Sequence, residues 1–207
     1  MQKANWVEKR GTTYDVGPGI LQLGMRALSK LELRKIAIPW VDKLSRLTGE
    51  TAHLVVLSGK GCLVIEVCDG PKHVKISSRP GTFISSIHCS AAGKVLLAFA
   101  VEENLRDFLK NSSLEKRTKN TITDINELEK EIRKIIRNGY AVDNMEFFDD
   151  VRCLAAPIRN AYGKTIAAIG ITATTTSFKR SMVSEVADKV MEIASRISRE
   201  LGAHPDV

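Results

Sequence analysis

No apolar run in the chain approaches the roughly 18 to 20 residues that a membrane helix needs, and residues 1–15 lack the apolar stretch of a secretory signal. Both absences lead us to expect a cytoplasmic protein without a membrane partner. The four cysteines, Cys62, Cys68, Cys89 and Cys153, form neither a CxxC pair nor a dense series, which argues against a disulfide framework and a zinc ribbon. We expect reduced thiols, no metal and no cofactor. Long basic runs are missing too, so the formal charge of +7 reads as solvated basic surface and not as a nucleic-acid interface. What is present is core-forming material: 43% of the 207 residues are hydrophobic, enough for one substantial core with a small appendage.

Residues 1–15 read as the tail of a β-hairpin, with a charged turn at Glu8-Lys9-Arg10-Gly11. From Pro18 onward Ile20, Leu21, Leu23, Gly24, Ala27 and Leu28 recur at helical spacing. A second helix follows, its apolar face carrying Leu33, Ile36, Ala37, Val41 and Leu44, and Pro39 should kink it or start a fresh turn. Thr51 to Leu57, Cys62 to Cys68 and His73 to Ser77 are β-rich runs separated by turn residues, which predicts an antiparallel meander. Helices are expected from Ser90 to Phe99 and around Glu102–Leu109. Residues 111–121 should form an exposed loop.

Asp124 and Glu127 have capping-box spacing, so a helix should begin there and stop at Asn138-Gly139. Three more strands are predicted, Tyr140 to Met145, Val151 to Ile158 and Thr165 to Ala173, and then a closing amphipathic helix from Ser177 to Leu201. Hairpin-joined strands with helices at both ends and in the middle imply an α+β fold, an antiparallel sheet flanked by helices.

Several blocks carry a resemblance. Tyr14-Asp15-Val16-Gly17-Pro18 with Ile20-Leu21-Gln22-Leu23-Gly24 resembles the end of the wing and the start of the linker helix in regulators of the IclR family. Thr48 to Leu54, His88 to Lys94, Asn138 to Asp143 and Val151 to Ile158 resemble successive blocks of that family's effector domain, in order and at matching intervals over residues 14–202. The resemblance implies a GAF-like effector domain with a six-stranded antiparallel sheet. It divides the chain into a wing remnant at residues 1–16, a linker helix at 17–31 and the effector-binding domain at 32–204. Full-length members carry an N-terminal winged helix-turn-helix that binds operator DNA as a dimer. Only the last wing strand is expected here, so DNA would be reached through a missing N-terminal domain, and the chain should form a homodimer or homotetramer.

Ser90-Ala91-Ala92-Gly93-Lys94 opens a helix. Small residues let a ligand approach the backbone, and first-turn amides with the positive helix end favour an anion; small residues also simply pack a helix against a sheet. Asp143 and Cys153 fall on neighbouring strands that can bring them to one pocket, where a carboxylate accepts from hydroxyls and a thiol makes a weakly polar wall. Asp143 also suits a turn, and Cys153 a core. Gly170 and Thr172, two apart on the last strand, face one side.

In the resembling family these positions line the effector site, so Ala91, Ala92, Gly93, Asp143, Cys153, Gly170 and Thr172 are the expected ligand-binding residues. Many members have serine where this chain has Gly170 and Thr172; a glycine there removes a donor and is expected to enlarge the cavity. The ligand implied is a small metabolite, an organic acid. His53 and His73 read as ordinary strand residues. An alternative function is a GAF-like thiol enzyme with Cys153 or Cys89 as nucleophile, which needs an activated thiolate.

Overall fold

The computed structural model describes residues 5–73, 76, 78–101, 105–110 and 112–204. The chain divides into two compact units, Met1–Lys35 and Ile36–Val207.

In the first unit, β1 (Val7–Arg10) pairs antiparallel with β2 (Thr13–Val16). The two are joined at Gly11, whose φ of +63° is one that residues with a Cβ rarely adopt. The hairpin therefore has both its strands, where the sequence suggested only its tail. Helix α1 (Pro18–Lys30) starts with Pro18 in its first turn, a position where a missing N–H costs nothing. None of its residues is buried, and Ile20, Leu21, Leu23 and Met25 are all exposed.

Helix α2 (Glu32–Thr48) runs without a break through Pro39 and buries Ala37, Val41, Leu44 and Ser45 on one stripe. Gly49, at φ +71°, turns the chain into β3 (Thr51–Ser58), which pairs with β4 (Gly61–Cys68). The next strand, β5, is the short Phe83–Ile84. It takes the place expected for 73–77: His73 lies in a bend, and residues 74, 75 and 77 are outside the described set. Gly61 allows β5 to approach, since a Cβ there would lie 2.4 Å from the Phe83 ring.

Helix α3 (Ala91–Phe99) is capped by Ser90, whose Oγ accepts from Gly93 N at 3.1 Å, a contact of about 1 kcal/mol. Helix α4 (Leu105–Leu109) is short; residues 102–104 of the helix expected there lie outside the described set. Asp124 caps α5 (Ile125–Asn138), and Gly139 at φ +78° ends it. The capping box is half formed: Asp124 Oδ1 accepts from Asn126 N and Glu127 N, while Glu127 pairs with Lys130.

Three strands follow, β6 (Ala141–Asn144), β7 (Val151–Arg159) and β8 (Thr165–Thr174). The closing segment is a 3-10 turn at Arg180–Met182 and then α6 (Val183–Glu200), so the helix starts later than expected. All six strands of this unit form one antiparallel sheet in the order β5-β4-β3-β8-β7-β6. The two halves of the chain thus join where β3 meets β8.

Alternation along β7 separates two cores. Cys153 and Ala155 pack with α3 and α5, while Leu154, Ala156 and Ile158 point the other way, and α6 also packs on this strand. At the sheet edge, side chains replace a further strand against β6. Lys94 Nζ donates to Val142 O at 2.7 Å, Asn120 Nδ2 donates to Asn144 O at 3.2 Å, and Asn144 N donates to Glu146 Oε1 at 3.3 Å. Backbone groups satisfied in this way no longer invite pairing with another chain.

Candidate functional site

The strand register builds a polar row across the sheet. Asp143 lies opposite Cys153, and Cys153 lies opposite Thr172. Side chains paired across antiparallel strands share a face, so the three stand together although they are far apart in sequence. Cys153 Sγ is 3.3 Å from Thr172 Oγ1, which lies 3.4 Å from His53 Nδ1 on β3. The row forms one wall of a cavity of about 500 Å³. The start of α3, Ser90 to Ala92, also lines it, as do Phe147 and Phe148 and, from the first half of the domain, Val64, Ile84 and Arg79.

Asp143 is 1% exposed. Its Oδ1 accepts from Glu146 N at 2.7 Å and Phe147 N at 3.3 Å, which folds the chain after β6 into a turn. Its Oδ2 is buried with no hydrogen-bond partner among the described residues. Burial, together with the charge of Glu146, pushes the Asp143 carboxyl up to about 7, against the opposing pull of the two amides and Lys94. Burial also holds His53 down at about 4, so its imidazole is neutral at physiological pH.

Close behind lies a second polar group with a different balance. Lys94, fully buried on α3, has its Nζ 2.6 Å from Glu146 Oε1 and 3.5 Å from Glu131 Oε1. With Val142 O this makes three acceptors for an ammonium that has three protons.

The thiols do not suit nucleophilic chemistry. Burial pushes Cys89 up to about 12 and Cys153 well above its ordinary value, with the Asp143 charge adding to both. Cys89 Sγ donates to Ser86 O at 3.4 Å. His88, whose Nε2 is 3.1 Å from Glu115 O, is engaged elsewhere. Among the described residues no group of three or more His, Cys, Asp or Glu is arranged to hold a metal ion.

Of the residues singled out in the sequence, Ala91, Ala92, Asp143, Cys153 and Thr172 line this cavity. Gly93 and Gly170 are not on its wall. A Cβ on Gly93 would meet Ile87 O at 2.1 Å, so this glycine permits close packing of α3 on the preceding turn, and its amide is occupied by Ser90. Gly170 does not enlarge the cavity as expected: a Cβ there would lie 2.3 Å from Leu154 O and 2.8 Å from Ala155 Cβ, and its bareness serves the contact of β8 with β7.

Sequence reasoning missed His53, Lys94 and the Phe147-Phe148 wall. A signal was available for two of them. His53 shares its strand face with Thr51 and Val55, and Lys94 sits in a helix that is otherwise almost wholly apolar, where no solvent-facing side exists to receive it.

A partly polar cavity whose thiols are held protonated by burial suits binding better than nucleophilic chemistry, and comparison with known proteins agrees. Residues 25–199 match the family model of the bacterial transcriptional regulator IclR C-terminal domain. The HTH-type transcriptional regulator BhcR of Paracoccus denitrificans is 32% identical over 193 residues, covering 93% of this chain and 69% of that protein. The crystal structure of Thermotoga maritima IclR superposes with a TM-score of 0.83 at 31% identity, covering 97% of this chain and 81% of that one. An IclR homologue from Microbacterium hydrocarbonoxydans, solved in complex with 4-hydroxybenzoate, has the same fold, with a TM-score of 0.80 at 23% identity over 95% of this chain and 80% of that one. The chain belongs to the IclR family of bacterial transcriptional regulators and contains its C-terminal domain. It is a regulator's domain and not a thiol enzyme. Among the described residues no helix is long and apolar enough to cross a membrane.

Proposed function

We propose that this domain senses a small organic monocarboxylate bearing hydroxyl or keto groups, and that occupancy of the 500 Å³ cavity modulates operator binding by the regulator. The observation that carries this reading is that two unlike groups of residues line one cavity. The start of α3 offers the Ala91 and Ala92 amides at the positive end of a helix dipole, and the strand row offers the hydroxyl, thiol and carboxyl of Thr172, Cys153 and Asp143. The carboxylate would sit against the amides and the hydroxyl or keto oxygens against the row. That 4-hydroxybenzoate, a hydroxylated monocarboxylate, occupies a protein of this fold supports the choice of class.

The proposed division of labour keeps residues 1–16 as the wing remnant, 17–31 as the linker helix and 32–204 as the sensing domain. Assembly into a dimer or tetramer is supported by the exposed apolar residues of α1. Sedimentation at micromolar concentration tests it, and monomer alone would remove this part of the reading.

Calorimetry with a panel of hydroxy and keto acids tests the ligand class. Ala92→Leu should block binding by filling the cavity, and Asp143→Ala should weaken hydroxyl-bearing acids by about 1 to 3 kcal/mol. Binding indifferent to both substitutions, or a preference for hydrophobic cations, would show that the site lies elsewhere.

A further inference from the structure

The acid-binding reading leaves Asp143 as a difficulty, because a buried carboxylate in the wall of the cavity repels the anion it is meant to admit. The groups around it do not remove that charge. From α3, Lys94 is nearest, yet its ammonium is committed to Glu146, Glu131 and Val142 O. From the turn after β6, Glu146 adds a second negative charge. From β7 come the Cys153 thiol, which stays protonated, and Arg152, whose guanidinium bonds outward to Asn144 Oδ1 and Phe178 O. Cys89, in the 3-10 turn before α3, is a protonated thiol, and His53 on β3 is a neutral ring. Arg79 lies on the cavity wall and is exposed. Against this surrounding, the buried Oδ2 accepts no well-formed hydrogen bond among the described residues, and the weakly donating Cys153 thiol is the side chain beside the carboxyl.

We propose that uptake of an anionic effector into this cavity is coupled to uptake of one proton by Asp143 Oδ2, so that the domain reads intracellular pH together with its metabolite. The inference rests on the cavity being an anion site. The proton comes from solvent, no covalent bond to carbon changes, and the resulting carboxylic acid donates its O–H to the bound anion or to a hydroxyl beside it. One oxygen of Asp143 is already held by two amides whichever form is present, so protonation falls on the other. The carboxyl lies near neutrality, pushed up to about 7, so an alkaline shift of one pH unit suffices to change its state. Effector affinity is then greatest on the acid side of neutrality and falls as pH rises, the direction required when the bound form holds the extra proton.

The experiment uses acetate as the probe, since it is a bare carboxylate whose own charge is constant across the range. Amide shifts of Ala91, Ala92 and Cys153 are followed in the ¹⁵N-labelled chain as acetate is added at about pH 6 and about pH 8. Saturable shifts are expected at both, with acetate about tenfold weaker at the higher pH. In Asp143→Asn, which keeps the acceptor for both amides, the two affinities should agree. In the wild type, calorimetry in two buffers of different ionisation enthalpy should report close to one proton taken up per acetate near pH 8, and this needs no variant. Saturable shifts without pH dependence, or uptake of no proton, overturn the coupling and leave the anion site standing. No saturable shift at either pH overturns the anion site itself and the coupling with it. An equal pH dependence in Asp143→Asn assigns the proton to another group and overturns the role of Asp143.

Discussion

Two buried polar groups meet at the Asp143–Glu146 turn and differ in what balances them, although each contains one carboxylate oxygen, Glu146 Oε2 and Asp143 Oδ2, without a hydrogen-bond partner among the described residues. Around Lys94 the ammonium donates to Val142 O and Glu146 Oε1 and lies 3.5 Å from Glu131 Oε1, so the cation balances Glu146 and part of the charge of Glu131. Along the sheet the row Asp143, Cys153, Thr172 and His53 is held by long contacts of 3.3 and 3.4 Å and ends in an oxygen without a partner. The first arrangement holds structure: it covers the edge of β6 and fixes α3 against it. The second leaves bonding capacity open toward a cavity. Buried polar groups in native proteins are ordinarily satisfied, so the incomplete row is where a ligand is expected.

The largest effect should come from removing the cation. Lys94→Met leaves Glu146 and Glu131 without their buried partner, and we expect a loss of about 3 to 5 kcal/mol in urea unfolding. Stability close to wild type would show that the cluster is not structural and would erase the contrast.

A smaller effect separates the two titrating members of the open row. Asp143 binds its proton more tightly in the folded state, moving from 3.8 to about 7, so it lowers stability as pH rises through that window. His53 moves from 6.5 down to about 4, so stability is lost as pH falls through the same region. The two slopes oppose each other between these values. Asp143→Asn should expose the His53 slope, with stability falling by about 1 kcal/mol per pH unit as pH drops below 6.5. His53→Gln should expose the reverse slope, with stability falling as pH rises. Denaturation curves of both variants and wild type from about pH 4 to about pH 8 check this. Parallel curves would mean that neither group titrates as its burial implies.

The smallest effect sharpens the comparison. Thr172→Val breaks two long contacts in the row, and we expect a cost of about 1 kcal/mol or less, with a larger loss in effector affinity than in stability. The opposite ranking would make Thr172 a packing residue.

Much of this was legible in the residues. Local chemistry announced α5, because an Asp side chain at Asp124 and a glycine at Gly139 act within four residues of themselves. Runs of β-forming residues bounded by turn residues announced five of the six strands described in the sheet. The outer strand was misplaced because Phe83–Ile84 is only two residues long and carries no period of its own. Among the expected site residues, Asp143, Cys153 and Thr172, placed by position in matching motifs, line the cavity, while Gly170 lies off its wall. Its role depends on how near Leu154 and Ala155 lie across the ladder, which no spacing along the chain expresses.

By itself, then, the sequence determined the order and type of the elements, the caps that bound them, and membership of a family of regulators, all of which rest on interactions or patterns local to a segment. The tertiary structure alone decided that residue 53 stands beside residue 172, that Lys94 is wholly enclosed with two carboxylates, and that one buried oxygen of Asp143 is left without a hydrogen-bond partner among the described residues. Register, burial and the pairing of charges are set by elements far apart in the chain, and only their packing brings the groups close enough for hydrogen bonding and desolvation to act.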